Sequence, residues 1–121
     1  LEKQAILDGE HLPSFEALAG YVYFTATGEQ FEAGQIDRKT GFIGESRNFD
    51  VFLIYVDDLE ALKDLALTRD LAASLPSISG KPKLVYAPTK YLDDDRLRDL
   101  RIEFQQLPFE IYQRMDRRTR G

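Results

Sequence analysis

The side chains of this chain that could carry out chemistry are carboxylates, arginines and a single histidine. His11 lies alone in a polar stretch before Pro13, which is typical of a solvent-exposed loop histidine. There is no cysteine, so disulfides, thiolate zinc sites and cysteine nucleophiles are excluded. Because a transition-metal site needs several nitrogen or sulfur ligands, the sequence predicts no such site. Serines and aspartates are available for a Ser-His-Asp triad, but no Gly-x-Ser-x-Gly sequence occurs.

Adjacent carboxylates occur at residues 57–58 and 93–95, where they could hold a divalent cation or cap a helix. Neighbouring side chains point in different directions, and Arg96 and Arg98 follow the second cluster closely. Acidic residues at a helix N-terminus are favoured by the helix macrodipole, and aspartate is a preferred N-cap residue. The first cluster also follows an apolar run, where α/β sheets often bind ligands. We favour the capping interpretation for both clusters.

A metal-dependent nuclease core and a phosphate-binding loop are two further alternatives. The nuclease would need a carboxylate on one strand and an Asp/Glu-x-Lys triplet on the next. Glu45 and Asp50 flank a predicted hairpin, but no such triplet lies on a predicted strand. Glu60 and Lys63 are in a predicted helix and one residue too far apart. Neither Gly-x-Gly-x-x-Gly nor Gly-x-x-x-x-Gly-Lys-Ser/Thr occurs. The sequence therefore predicts no catalytic residue and no metal ligand.

The basic residues are the remaining candidates, because they could contact the phosphates of DNA. The formal net charge of −5 argues against a free-standing DNA-binding protein. The last eight residues nevertheless contain four candidate DNA contacts, Arg114, Arg117, Arg118 and Arg120. Their alternative role is to remain solvated or to favour the end of a last helix. Six further cations would add a basic face only if the fold brings them together: Arg38, Lys39, Arg47, Lys81, Lys83 and Lys90.

The 121 residues, 43% of them hydrophobic, are expected to form a single domain over residues 1–121. It would consist of a helical lead-in over residues 1–33 and an α/β core over residues 34–121. In the lead-in, Ser14 is a predicted N-cap and Gly28 a natural stop. Residues 21–25 alone would also suit a strand. A helix is favoured because an apolar stripe continues across the whole segment: Phe15, Leu18, Ala19, Val22 and Ala26.

The core begins with a polar loop and a hairpin whose turn is formed by Arg47 and Asn48. The second arm, residues 49–56, is apolar on both faces, as in a central strand of an α/β sheet. The predicted elements that follow are a helix over 59–66, a helix after Thr68, a buried strand over 83–87, a helix over 92–100, an edge strand over 102–107 and a helical turn over 109–115. We therefore predict a small three-layer α/β domain with a mostly parallel sheet, one antiparallel hairpin and a helical N-terminus.

The chain contains no apolar run that approaches the roughly 20 residues needed to cross a bilayer. It has no recognisable signal peptide, so we expect a cytoplasmic location and no membrane partner. The first residue is Leu1, within sequence that already has a helical pattern. We therefore expect the chain to be a segment of a longer protein.

Residues 42–46, Phe-Ile-Gly-Glu-Ser, resemble the Phe-x-Gly-x-Gly loop with which DNA methyltransferases bind S-adenosylmethionine. The final glycine is absent, and a cofactor loop must turn tightly from a strand into a helix. We therefore predict that this segment is the first arm of the hairpin and that the chain has no cofactor-binding residue.

Several segments of the chain, taken in order, resemble a region of a known protein family. They are residues 12–19 (Leu-Pro-Ser-Phe-Glu-Ala-Leu-Ala), 23–28 (Tyr-Phe-Thr-Ala-Thr-Gly), 43–45 (Ile-Gly-Glu), 52–55 (Phe-Leu-Ile-Tyr), 85–88 (Val-Tyr-Ala-Pro) and 104–112 (Phe-Gln-Gln-Leu-Pro-Phe-Glu-Ile-Tyr). This succession spans nearly the whole chain. It is similar to the C-terminal region of adenine-specific DNA methyltransferases of the type III modification-subunit kind.

The resemblance implies a parent enzyme that transfers a methyl group from S-adenosylmethionine to the exocyclic amine of adenine, after flipping the base. The catalytic Asp-Pro-Pro-Tyr motif of that family is absent here, since no two prolines are adjacent. The catalytic domain is therefore expected upstream of Leu1. The isolated chain is expected neither to bind S-adenosylmethionine nor to methylate DNA.

The resulting interpretation is a non-catalytic accessory domain of a restriction-modification system. Its expected partners are the catalytic domain of the same chain, DNA, and a restriction subunit or a second copy. The first alternative is an α/β protein-interaction or regulatory module without nucleic-acid contact. A degenerate nuclease-like domain is the second alternative.

Overall fold

The computed structural model describes residues 12–107. In chain order the elements are α1 (Phe15–Thr27), a 3-10 turn (Ala33–Gln35), β1 (Phe42–Glu45), β2 (Asp50–Leu53), α2 (Leu59–Lys63), β3 (Leu67–Thr68), α3 (Arg69–Ser74), β4 (Lys83–Ala87), β5 (Lys90–Tyr91), α4 (Asp94–Asp99) and β6 (Ile102–Gln106). The interpretations that rest on residues outside this range stay predictions: His11, the helical turn over 109–115, and Arg114, Arg117, Arg118 and Arg120.

Four strands form one mixed sheet in the order β1-β2-β4-β6. β1 and β2 pair antiparallel as the predicted hairpin, whereas the β2–β4 and β4–β6 pairs are parallel. Lys83, the first residue of β4, lies opposite Asp50 on one side and Ile102 on the other. The amino ends of the three parallel strands therefore lie side by side. The predicted α/β fold, with a mostly parallel sheet and one antiparallel hairpin, is confirmed.

Helix α1 begins and ends where its capping residues predict. The Ser14 Oγ accepts a hydrogen bond from the Ala17 N–H at 3.1 Å, which stabilises the first turn. Gly28 has a φ of 72° and donates its N–H to the Phe24 carbonyl at 2.8 Å, which is a common way to end a helix. The apolar stripe that predicts this helix is buried only as far as Tyr23, and the last turn, with Ala26, is exposed.

The sheet is covered on both faces, which produces three layers. Successive β2 side chains point to opposite faces. Those from Val51 to Leu53, and Ile54 directly after the strand, are all buried, as predicted for a strand covered on both sides. On one face, α1 packs against a cluster that includes Ile43, Val51, Leu53 and Leu84. On the other face, α3 and α4 contribute to a cluster that includes Phe52, Ala72, Val85, Ala87, Leu97 and Ile102.

The helices after the hairpin are shorter than predicted. α2 ends at Lys63 and not near residue 66, because the chain leaves the helix to place Leu67 in β3, where its N–H donates to the Thr89 carbonyl at 2.9 Å. α4 begins at Asp94 and not at 92, because the residues before it form β5. β3 and β5 pair in parallel as a separate two-stranded sheet. The sequence did not predict this sheet, since two-residue strands carry no periodic signal.

Candidate functional site

Four cations lie at the amino ends of the three parallel strands. Arg47 lies in the hairpin turn before β2, Lys81 and Lys83 lie just before and at the start of β4, and Arg101 directly precedes β6. Neighbouring strands are about 4.8 Å apart, so the strand order places these residues in a row across one end of the sheet. We call the surface formed by Arg47, Lys81, Lys83 and Arg101 the basic end.

Two of these side chains join the loops at this end of the sheet. The Lys81 Nζ lies 2.6 Å from the Glu45 Oε2 and 2.7 Å from the Ser46 carbonyl oxygen, so it links the loop before β4 to the hairpin. The Arg101 Nη1 donates to the Gly80 carbonyl at 3.2 Å. The Arg101 charge therefore lies beside a neutral acceptor, whereas the Lys81 charge is paired with a carboxylate.

A buried carboxylate fixes the loop that carries Lys81. Asp50 is fully buried (0% exposed), and its two oxygens accept hydrogen bonds from Ser79, at 2.6 Å from the Oγ and 3.0 Å from the N–H. The Asp50 N–H donates to the Pro82 carbonyl at 3.0 Å. A buried charge is tolerated only where donors satisfy it. Asp50 thus ties the loop between α3 and β4 to the start of β2, and this contact positions the two lysines of the basic end.

The hairpin turn is also held by specific hydrogen bonds. The Ser46 N–H donates to the Phe49 carbonyl at 2.7 Å, and the Phe49 N–H donates to the Ser46 Oγ at 3.0 Å. The Arg47 N–H donates to the Glu29 Oε2 at 3.0 Å. The Arg47 residue is exposed. Its backbone is therefore fixed while its side chain is accessible to solvent.

Arg101 adopts an unusual backbone conformation. Its φ of 58° lies in the left-handed region, which costs a residue other than glycine roughly 1–2 kcal/mol. It directly follows Leu100, the C-cap of α4, at the position where helices most often have glycine. An arginine at this position is therefore strained relative to a glycine, and its guanidinium donates to the Gly80 carbonyl.

We expect Arg101→Gly to raise the free energy of unfolding by up to about 1 kcal/mol, because glycine adopts a positive φ without strain. The larger entropy of glycine in the unfolded chain offsets part of this gain. Arg101→Ala is the matched variant, since it removes the same side chain but keeps the strain. It is expected to be no more stable than the parent chain. Urea unfolding measures both, and equal stability of the two variants would contradict the assignment of strain to this residue.

The fold brings together only some of the six cations that the sequence suggested for a basic face. Arg47 and the two lysines of the basic end lie at the same end of the sheet, but Lys90 follows the opposite, carboxyl end of β4. Residues 38–39 lie in the turn before β1, next to the carboxyl end of β2, since the Leu53 N–H donates to the Gly41 carbonyl at 2.7 Å. Sequence reasoning missed Arg101, whose only signal is a cation directly after a predicted helix end.

The adjacent carboxylates cap helices, as predicted. The Asp58 Oδ1 accepts from the Glu60 N–H at 3.2 Å at the start of α2, and the Asp93 Oδ1 accepts from the Arg96 N–H at 2.9 Å at the start of α4. Among residues 12–107, no group of three or more histidine or acidic side chains is arranged to hold a metal ion. The two carboxylates considered for a nuclease, Glu45 and Asp50, are each engaged by a different partner.

The Phe-Ile-Gly-Glu-Ser segment forms β1 and the start of the hairpin turn, which confirms the prediction of a strand. A Cβ atom on Gly44 would lie 2.8 Å from the Tyr23 Cε1, so this glycine allows α1 to approach β1 closely. The Tyr23 hydroxyl donates to the Glu45 carbonyl at 2.8 Å. Burial raises the pKa of Tyr23 above its ordinary value, with smaller contributions from the charges of Glu29, Glu45 and Glu32. The helix–strand contact accounts for the glycine in this motif.

Comparison of the chain with protein-family models, with curated proteins and with solved structures found no match. None of the helices within residues 12–107 has the length and apolar character needed to cross a membrane.

Proposed function

We propose that this chain is a non-catalytic accessory domain of an adenine-specific DNA methyltransferase and that its basic end contacts the phosphates of duplex DNA. The observation that supports the DNA contact is the placement of four cations at one end of the sheet, in a chain whose formal net charge is −5. The methyltransferase assignment is supported by the resemblance of the ordered segments. The catalytic domain of the same chain, with S-adenosylmethionine as its cofactor, would lie outside these residues.

The dimensions of the basic end suit a phosphate backbone. The row runs from the hairpin turn before β2, across β4, to the start of β6. With strands about 4.8 Å apart, it extends over roughly 10–15 Å. One DNA strand advances about 3.4 Å per phosphate along the helix axis, so the row can reach several successive phosphates. Lys81 is paired with Glu45, and we therefore assign the phosphate contacts to Arg47, Lys83 and Arg101.

Replacing Arg47, Lys83 and Arg101 together by glutamate is expected to weaken binding to duplex DNA about tenfold or more, because three phosphate contacts become repulsive. The slope of log affinity against log salt should fall by about 2.7. Fluorescence anisotropy with a labelled duplex, titrated between about 50 and 200 mM salt, measures both quantities. Arg101→Gly alone should weaken binding even though it is expected to raise stability.

A matched control variant carries the same change of formal charge outside the basic end. It replaces three cations by glutamate: Arg38 and Lys39, in the turn next to the carboxyl end of β2, and Lys63, the last residue of α2. Equal losses in the two triple variants would show a general charge effect and contradict the assignment to the basic end. A chain that ends at Arg114 tests the separate contribution of Arg117, Arg118 and Arg120. If this shortened chain has the same slope of log affinity against log salt as the parent chain, the three arginines do not contact the phosphates.

A second candidate function, docking to another protein surface, is favoured by one observation. Phe24 on α1 is 62% exposed, and exposed aromatic side chains are frequent anchors of protein interfaces. The partner would be the catalytic domain, a restriction subunit or a second copy. Salt-dependent DNA binding by the isolated chain separates the two functions, because a pure docking module has no reason to bind phosphates.

A further inference from the structure

The four-stranded sheet has two edges, β1 and β6, and the described residues protect only the first of them. At the β1 edge the Gln35 Oε1 accepts from the Glu45 N–H at 3.1 Å, and the Asp37 N–H donates to the Phe42 carbonyl at 2.9 Å. The β1–β2 ladder also contains a register irregularity between Phe42 and Gly44. Bulges and covered backbone groups are devices by which natural proteins prevent an edge strand from pairing with another chain.

The β6 edge has none of these protections among residues 12–107. Its sequence, Ile-Glu-Phe-Gln-Gln, contains neither lysine nor proline. Its pairing with β4 runs without a register shift from Ile102 to Gln106. In the part of the chain that the structure describes, no strand lies beyond β6. A regular edge with free N–H and C=O groups is a template for pairing with another chain.

Hydrogen bonds to β4 determine which backbone groups of β6 face outward. The Lys83 N–H donates to the Arg101 carbonyl, and the Leu107 N–H donates to the Ala87 carbonyl, both at 2.9 Å. Successive residues of a strand direct their N–H and C=O groups to opposite sides. Arg101 and Leu107 therefore face β4, as do the residues at odd positions between them. The residues whose backbone groups face the open edge are Ile102, Phe104 and Gln106.

We propose that the β6 edge pairs with the β6 edge of a second copy of this chain, antiparallel and about a two-fold axis at Phe104. Most soluble homo-oligomers are closed and symmetric, and in a two-fold dimer each copy contributes the same surface. In this register Phe104 lies opposite the partner's Phe104, and Ile102 lies opposite the partner's Gln106. Each such pair exchanges two hydrogen bonds, about six in all. Every outward backbone group of β6 then has a partner, and the two four-stranded sheets become continuous.

Charge and hydrogen bonding both favour this register over its neighbours. A two-fold axis at residue 103 would place Glu103 directly opposite the partner's Glu103, and like charges in that position are destabilising. An axis at residue 105 avoids this repulsion, but either shifted register makes only about four of the hydrogen bonds. With the axis at Phe104, Glu103 lies opposite the partner's Gln105, which is neutral. The sequence of β6 is therefore complementary to itself in one register.

The side chains next to this edge suit a surface that pairs with itself. Phe104 is half-buried and packs against the core cluster on the face covered by α3 and α4. Two such rings side by side would extend that cluster across the axis, and aromatic pairs across antiparallel strands are favourable. The Lys90 Nζ, 5.9 Å from the Phe104 ring centroid, is paired with the Asp94 Oδ1 at 3.7 Å. It therefore brings no unpaired charge to the axis.

Sedimentation velocity of the full chain over a range of concentrations measures the dissociation constant of the dimer. Gln105 is exposed and would lie opposite Glu103 on both sides of the axis, so charges placed there test the register. Gln105→Glu is expected to raise the dissociation constant about threefold or more, and Gln105→Lys to lower it by a similar factor. The difference between the two variants should shrink at high salt. Equal dissociation constants for the two variants at low salt would overturn the register at Phe104.

The outward N–H of Gln106 gives a second test. Gln106→Pro removes this donor but no backbone bond to β4, since proline is tolerated in an edge strand where its nitrogen faces away from the sheet. It is expected to raise the dissociation constant about tenfold, because the dimer loses a hydrogen bond on each side of the axis. Gln106→Ala is the matched control. Both variants lose the side-chain hydrogen bond to the Pro88 carbonyl, but the alanine variant keeps the N–H and should dimerise within about twofold of the parent chain.

Circular dichroism verifies that both variants fold. If the proline variant dimerises as tightly as the alanine variant, the β6 edge is not the interface. Amide hydrogen exchange followed by NMR locates the interface directly. The N–H groups of Ile102, Phe104 and Gln106 should become protected as the chain concentration rises. Those of Glu103 and Gln105, which face β4, should change little.

Other occupants of the edge, or another interface, give different results. A parent chain that stays monomeric at every concentration overturns the proposal. If a chain that ends at Pro108 then dimerises, the occupant of the edge in the parent chain is its own segment 109–121. Loss of the dimer in Phe24→Ala, with no effect of Gln105→Glu, would place the interface on α1 and also overturn the proposal. Because none of these measurements includes DNA, failure of the dimer leaves the proposed function of the basic end standing.

Discussion

Replacing Gly44 by alanine is expected to lower the free energy of unfolding by about 1–3 kcal/mol, the usual cost of overpacking a well-packed contact. The added Cβ would lie 2.8 Å from the Tyr23 Cε1 and 3.3 Å from the Cδ1. The ring cannot easily move aside. It is buried, its hydroxyl donates to the Glu45 carbonyl, and it packs against Phe31 with the ring centroids 5.8 Å apart. Either α1 must shift away from β1 or the strand must bend.

Urea unfolding monitored by circular dichroism measures this loss, and Gly34→Ala is its control. A Cβ on Gly34 meets nothing within 4 Å, so that variant should change stability by less than about 0.5 kcal/mol. A double-mutant cycle with Tyr23→Ala tests the cause. Once the ring is removed, Gly44→Ala should cost much less than it does in the parent chain. Additive costs would show that the ring is not the obstacle.

Replacing Asp50 by alanine is expected to lower the free energy of unfolding by about 1–3 kcal/mol. Two hydrogen bonds to Ser79 are lost, and the Ser79 N–H is left without the acceptor that it has in the parent chain. Asp50→Asn should fall between alanine and the parent chain. Its amide oxygen can still accept from the Ser79 N–H while its NH2 group donates to the hydroxyl. Unfolding in denaturant measures the free energies of unfolding of the parent chain and the two variants and so tests this order. An alanine variant as stable as the parent would mean that the desolvation cost of the buried carboxylate equals the value of its hydrogen bonds.

The same substitution has a functional consequence at the basic end. Asp50 ties down the loop between α3 and β4, and this loop leads into Lys81 and Lys83. Loosening it is expected to weaken duplex binding about twofold to fivefold, less than the loss expected for charge reversal because the charges themselves remain. Ser79→Ala is the matched variant, since it removes the hydroxyl donor but keeps the N–H donor. A full loss of binding in Asp50→Ala with wild-type stability would contradict a positioning role.

Much of the fold could be predicted because the relevant signals are local. Ser14 and Gly28 mark the two ends of α1, and each makes a hydrogen bond to a residue only a few positions away. β4 runs from Lys83 to Ala87 as predicted, because its apolar run must be covered on both faces. Shorter elements could not be predicted in this way. β3 and β5 exist only as partners of each other, and their pairing shortens α2 and delays the start of α4.

The candidate site was less predictable than the fold. The sequence alone identified the cations and the acidic residues that cap helices. It also showed that the segment resembling a cofactor loop lacks its final glycine. Only the tertiary structure decided that Arg101 lies with Arg47, Lys81 and Lys83, while Lys90 lies at the other end of the sheet. Local patterns determine which residues form a strand, since those patterns reflect burial and capping within a few residues. Strand order and direction depend on packing between distant segments, so the grouping of charges at one end of the sheet appears only once the chain has folded.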